Sequence, residues 1–325
     1  MVFPFNFYLA AFAGAFLTTW FTLPYWRDWC VRVNLVDDPG RRKIHDAPVP
    51  LAGGFAVLTG ILTPLVLGAL FAASSVENTR VLPPIAYGFS HRALELAAIA
   101  FGAIGITGLG WFDDKHELRP LPKFAGQLVI ALLVAASGAR VTLFVHSLCF
   151  SYAVTVLWML AVINAFNFMD NMNGLCAGLG AIGALLFAIL AAAGGQYLVA
   201  LTGLLMGGAL LGFLPHNFPK ARAFLGDAGS HLVGYLLAVM AILPHFSTKQ
   251  NPRHFAVLSP LLVLAIPLAD LARVVILRTL NRQPFWIGDT NHLSHQLVRA
   301  GLSQTRAVLL IWLLAMVIGS LAVLL

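Results

Sequence analysis

Long apolar runs separated by short polar stretches pattern this chain from end to end. A helix needs about 20 apolar residues to cross the hydrocarbon core of a bilayer. Runs of that kind lie at roughly 5–26, 50–73, 93–111, 123–145, 149–166, 175–193, 196–214, 229–245, 255–277 and 304–325. They predict an all-α, polytopic membrane protein with about ten transmembrane helices. Ten such helices take about 200 residues, so the loops are short and 1–325 reads as one integral membrane domain. No internal repeat or low-complexity segment is visible. No basic stretch precedes the first run, which therefore does not read as a cleaved signal peptide.

Composition supports the pattern. Hydrophobic residues make up 59% of the chain and charged residues 10%, against about 25% charged in soluble domains. The mean hydropathy is +0.85. The net charge of +7 is no nucleic-acid footprint, because the basic residues sit in short loops between apolar runs. Three scattered cysteines make neither a disulfide framework nor a metal cluster. Cys149 and Cys176 lie in or beside apolar runs and read as small packing residues.

Charge orients the helices. Fifteen of the 20 Lys and Arg residues fall on the odd-numbered loops or the helix ends beside them, and five fall on the even side. The positive-inside rule places the odd loops in the cytoplasm and both termini outside. Asp37, Asp113, Asp114, Asp170, Asp227 and Asp289 are among the acids on that same side, whereas Glu77 and Glu95 lie toward the other and Asp270 falls within a run. A transporter keeps ionisable groups near the midplane. Polar groups gathered at one boundary suit chemistry on a lipid headgroup with a water-soluble co-substrate.

Five stretches carry candidate chemistry. In GWFDDKHELRPLPK, Asp113 and Asp114 are adjacent carboxylates whose repulsion a cation or a shared proton relieves, although such a pair also merely solvates a helix end. In FLGDAGSHLVG, Asp227 stands between glycines before an apolar helix. That suits a phosphate-binding helix start, or a plain Asp N-cap. In NAFNFMDNMNGLCAG, Asn164, Asn167 and Asp170 recur every three residues and share a helix face. Such amides read a base, ribose or sugar amide, or close a helix bundle. VDDPGRRKIHDAPVPLAGG offers Lys43 and His45 to phosphates, or is an orientation signal at the membrane surface. GDTNHLSHQLVRAG carries His292, His295 and Arg299, a weak zinc site but a plausible grip on a diphosphate. Asn217 and Lys220 fall on the same side in PHNFPKARAF.

The order of these stretches resembles that of the polyprenyl-phosphate N-acetylhexosamine-1-phosphate transferase superfamily, from about residue 36 to about residue 310. RKIHDAPVPLAGG and the histidine loop resemble the branch that transfers GlcNAc-1-phosphate more than the phospho-MurNAc-pentapeptide branch. The resemblance implies the following roles. Asp113 and Asp114 match the paired aspartates, and Asp227 matches the magnesium-binding aspartate, with Asp114 a second ligand. Asn164, Asn167, Asp170 and Asn217 match nucleotide-sugar contacts, and Lys123 matches a lysine near the phosphates. Asp37, Lys43 and His45 match the first-loop motif, and His292 and His295 match two of the final histidines, with Arg299 beside them. Base and metal-ligand roles within Asp113 and Asp114 are interchangeable at this stage. The family's DGxDGL reads DNMNGL here, placing Asn173 where a second aspartate is expected. Its Arg-x-His-x-His-His reads Thr290-Asn-His-Leu-Ser-His295.

The activity so implied is transfer of a HexNAc-1-phosphate, GlcNAc-1-phosphate foremost, from a UDP-N-acetylhexosamine to undecaprenyl phosphate, releasing UMP. Mg²⁺ is the implied cofactor, with Mn²⁺ as an alternative. The implied place is the bacterial inner membrane among its lipids, with the active site cytoplasmic and room for a homodimer. Transfer of phospho-MurNAc-pentapeptide and a catalytically silent lipid-phosphate-binding homologue are the competing readings.

Overall fold

A computed structural model of the protein describes residues 4–38, 48–74, 92–141, 145, 147–244, 254–284 and 291–325. Its helices are α1 (Phe5–Arg32), α2 (Gly53–Ser74), α3 (Ala93–His116), α4 (Pro120–Ala136), α5 (Leu148–Met169), α6 (Leu175–Ala193), α7 (Tyr197–Asn217), α8 (Gly226–Ile242), α9 (Ser259–Val263), α10 (Ala265–Leu280), α11 (Leu293–Arg299) and α12 (Gln304–Ser320). Each of the ten expected runs overlaps one of these or a bent pair. Seven of the described helices are long and apolar enough to cross a membrane. The protein is therefore all-α and multi-pass, apart from a two-residue antiparallel ladder that pairs Val36 with Pro50 and Asp37 with Val49.

Three expected spans differ. The run at 255–277 is not one helix: α9 and α10 meet at a bend of 68°. Pro267 explains the break, because it lacks the N–H that would bond to the Val263 carbonyl and its ring crowds that carbonyl. The run at 123–145 ends as α4 at Ala136, two residues before Gly138 at φ +112°. α8 has only 17 residues, a rise of about 26 Å against a hydrocarbon core of about 30 Å. It tolerates this because protein surrounds it. Every residue from Ala228 to Ala241 is buried, and α2, α3, α5 and α6 pack around it. From Leu232 onward the helix is apolar on all sides, which suits such a centre.

Small residues let the helices approach. A Cβ on Gly208 or Gly212 would overlap the Phe12 or Phe16 carbonyl of α1, so α1 and α7 meet backbone to backbone. The next contact in the series is Trp20 edge-on to His216, with ring centroids 4.8 Å apart. Partners advance together along both helices, so α1 and α7 run parallel. Cys30 and Cys176 are buried as expected, but Cys149 is exposed on the first turn of α5, not packed inside.

Candidate active site

The adjacent aspartates lie in the last turn of α3, beyond the apolar run expected at 93–111. Neighbours on a helix point about 100° apart, and the two carboxylates go to different partners. Asp113 accepts from the Leu118 backbone N–H (2.8 Å) through one oxygen and meets Lys123 Nζ (2.7 Å) through the other. Asp114 turns to the start of α8, where one oxygen accepts from the Asp227 N–H (2.8 Å) and the other from the Ala228 N–H (3.1 Å). The N-cap of α8 is Leu225, whose side chain cannot cap. Asp114 therefore satisfies two free amides of the first turn from a neighbouring helix. Asp227 is capped, and does not itself cap.

Glycine makes this meeting of α3 and α8 possible. Gly226 has φ +70°, and a Cβ there would stand 2.7 Å from Asp114 Oδ2. A Cβ on Gly110 would run into the Asp227 carbonyl.

Asp227 is thereby carried to Lys123, whose Nζ lies 2.7 Å from Asp227 Oδ2 as well as from Asp113. The other Asp227 oxygen accepts from Asn167 Nδ2 (2.7 Å), which also donates to Ser230 Oγ (3.0 Å). One turn deeper, the same three helices contribute a second polar tier. Asn164 Nδ2 donates to the Leu160 carbonyl (2.8 Å) and to Gln127 Oε1 (2.7 Å). That bond fixes the Gln127 amide, so its NH₂ faces His231 Nε2 at 3.4 Å. His231 Nδ1, the other ring nitrogen, is buried with no hydrogen-bond partner among the described residues.

The upper tier opens on a cavity of about 1900 Å³. Of the expected residues, Asp37, Asp113, Asp114, Lys123, Asn164, Asn167, Asp170, Asn173, Asn217, Asp227 and His295 line it. Lys43 and His45 lie outside the described residues. His292 and Arg299 are not part of the lining. His292 is buried, with Nδ1 2.6 Å from Asp270 Oδ2, and Asp270 also accepts from the Leu293 N–H (2.7 Å). Arg299 is exposed at the end of α11. Asn217 spends both polar atoms on backbone, accepting from Gly174 N (2.6 Å) and donating to the Ala223 carbonyl (2.9 Å). Asn173 donates to the Pro219 carbonyl (3.2 Å). The Asp170 carboxyl, after the end of α5, is pushed up to about 7 by burial and then by the charges of Asp227 and Asp37.

Sequence reasoning missed Gln127, Ser230, His231 and the partner of Asp270. A signal was present: Gln127 follows Lys123 by four residues, and His231 follows Asp227 by four, each within an apolar run. Polar residues one turn apart on an otherwise apolar helix mark a shared buried face.

The carboxylates suit a hard cation. Mg²⁺ takes one or two carboxylates together with phosphate oxygens and waters. Asp113 and Asp227 converge on one point at the cavity, whereas Asp114, expected as a second ligand, spends both oxygens on the α8 amides. Among the described residues no three His, Cys, Asp or Glu side chains form a closed metal cage.

Comparison with known proteins identifies the family. The model of glycosyl transferase family 4 matches residues 96–245. The chain is 31% identical over 327 residues to a probable undecaprenyl-phosphate N-acetylglucosaminyl 1-phosphate transferase of Bacillus subtilis, covering 98% of this chain and 84% of that one. It is 34% identical to the decaprenyl-phosphate N-acetylglucosaminephosphotransferase of Mycobacterium tuberculosis, covering 94% and 79%. It is 27% identical to the undecaprenyl-phosphate alpha-N-acetylglucosaminyl 1-phosphate transferase of Escherichia coli K12, covering 95% and 81%. With relatives matched along nearly its whole length, and with the paired aspartates, Asp227 and the asparagine helix brought to one cavity, the chain belongs to glycosyl transferase family 4, within the superfamily of polyprenyl-phosphate N-acetylhexosamine-1-phosphate transferases.

Proposed function

We propose that the protein transfers GlcNAc-1-phosphate from UDP-N-acetylglucosamine to undecaprenyl phosphate on the cytoplasmic face of a bacterial inner membrane. The observation that carries this reading is the Asp113–Lys123–Asp227 bridge, at 2.7 Å on each side, in the wall of a cavity of about 1900 Å³. That volume is about twice the upper end of ordinary ligand pockets, and it suits two substrates together. Its lining holds both kinds of surface. Asn164, Asn167, Asp170 and Asn173 offer polar contacts to a nucleotide sugar, while Leu121, Phe124, Leu157 and Val275 make an apolar wall. Leu121 is 80% and Leu157 66% exposed, as lipid-facing residues along a prenyl chain should be. The relatives named for N-acetylglucosamine favour that sugar over a MurNAc-pentapeptide.

In this reading an oxygen of the lipid phosphate attacks the β-phosphorus of the nucleotide sugar. The bond from that phosphorus to the bridging oxygen breaks, and UMP leaves. One phosphoanhydride replaces another, so the site's task is to bring two anions together. Asp227 and Asp113 would hold Mg²⁺, which would supply charge neutralisation of the diphosphate. Lys123 adds a mobile positive charge in the wall of the same cavity. Asn167 and Leu118 orient the two bridged carboxylates through their other oxygens. Asp114 fixes the first turn of α8, and with it the position of Asp227. The second pKa of a phosphate lies near 6, so proton removal by Asp113 contributes little at neutral pH.

Asp227→Asn and Asp113→Asn should each reduce Mg²⁺-dependent formation of lipid-linked sugar by about 10²-fold or more, with membrane insertion intact by immunoblot. UMP release from a panel of UDP-sugars, with undecaprenyl phosphate and Mg²⁺, identifies the donor. Full activity in either variant overturns the mechanism.

A further inference from the structure

We infer that Lys123 is an exchangeable counter-ion: its ammonium holds Asp113 and Asp227 at the point a divalent cation takes over, and the arriving cation releases it toward the phosphates in the cavity. The inference rests on the transferase reading above and says how that site is loaded. Three features of the bridge support it.

First, the charges require one occupant at a time. Nζ sits 2.7 Å from an oxygen of each carboxylate. A divalent ion cannot share that point with an ammonium, because like charges at contact repel strongly. Second, the carboxylates are held independently of Lys123. The second oxygen of Asp113 is tied to the Leu118 N–H, and that of Asp227 to Asn167. Removing the ammonium leaves both aimed at the same point. Third, only the side chain has to move. Gln127, one turn further along α4, bonds to Asn164 of α5 and pins the helix. The lysine stem is flexible and ends in a compact charge, and the side chain lines the cavity at 19% exposure.

The test uses the purified full-length protein in detergent without nucleotide or lipid, with Mn²⁺ as a spin probe. Lys123→Met should bind Mn²⁺ about tenfold more tightly than wild type, since it removes the competitor, whereas Lys123→Arg should not gain affinity. A lysine that only contacts phosphate predicts no change without nucleotide. Crystals of the wild type grown with Mn²⁺ should show the anomalous peak between Asp113 and Asp227, with Nζ beyond hydrogen-bond reach of both. Equal or weaker affinity in Lys123→Met, no Mn²⁺ binding by the wild type, or a bound ion with Nζ still bridging the carboxylates overturns the exchange. If Lys123→Met does not fold, Lys123→Gln replaces it, and the crystallographic arm needs no variant. UMP release by the wild type is scored separately. Its absence with the exchange intact counts against the transferase reading alone, and its presence with no gain in affinity counts against the exchange alone.

Discussion

Asp170 carries a charge that its surroundings disfavour. Its carboxyl is raised from 3.8 to about 7 by burial, with Asp227 and Asp37 adding repulsion. An acid with a raised folded-state pKa binds its proton more tightly folded than unfolded. Its cost to stability is absent below about pH 4, grows between there and about pH 7, and is complete above. Asp170→Asn removes the charge, so it should raise the melting temperature in detergent at pH 8 and leave it unchanged near pH 4. The difference is on the order of a few kcal/mol. Equal shifts at both pH values would contradict this account. The identity of such residues was legible in the sequence, but their tasks were not. Asp113 and Asp114 are adjacent letters, yet a rotation of about 100° sends one to Lys123 and the other to the amides of α8. Asn217 has the polar atoms of a sugar contact but spends them on Gly174 and Ala223.

At the level of helices, apolar runs located the elements well because lipid imposes length and composition on them. Their ends were less legible. α3 extends to His116, and so takes both aspartates into its last turn. The last long span but one breaks into α9 and α10. Nor does the sequence alone say which helices meet, since α4, α5 and α8 become neighbours only on folding. Their lower polar tier of Gln127, Asn164 and His231 locks the rotation of each helix beneath Lys123, Asn167 and Asp227. Gln127→Leu leaves buried groups on two helices without their partner, a loss of about 1–3 kcal/mol for each group. Its melting temperature in detergent should fall. Turnover should fall by about tenfold, because a site displaced by fractions of an ångström loses rate steeply. Unchanged turnover in a destabilised Gln127→Leu protein would assign the tier to packing alone.

Across the whole molecule, polar residues from the first loop, α3, α4, α5, α8 and α11 line a single cavity at one end of the bundle. Glu95 and Arg92 pair at the start of α3, away from the aspartates that end it. The proposed orientation puts the cavity end in the cytoplasm. With Cys149 replaced by serine, Lys220→Cys should resist a membrane-impermeant thiol reagent in intact cells and react in inverted vesicles. Ser147→Cys, at the start of α5, should show the reverse. Labelling of the Lys220 position from outside would invert the topology.

Membrane residence, the approximate helices, the asymmetry of charge and the family resemblance could all be read along the chain, because each depends on residue type and short-range order. The Asp113–Lys123–Asp227 bridge and the capping of α8 by Asp114 could not. They join residues 104 and 113 positions apart, and they exist only because Gly110 and Gly226 let two helix backbones touch. Contacts of that kind follow from how helices cross, a choice that periodicity within any one helix leaves open.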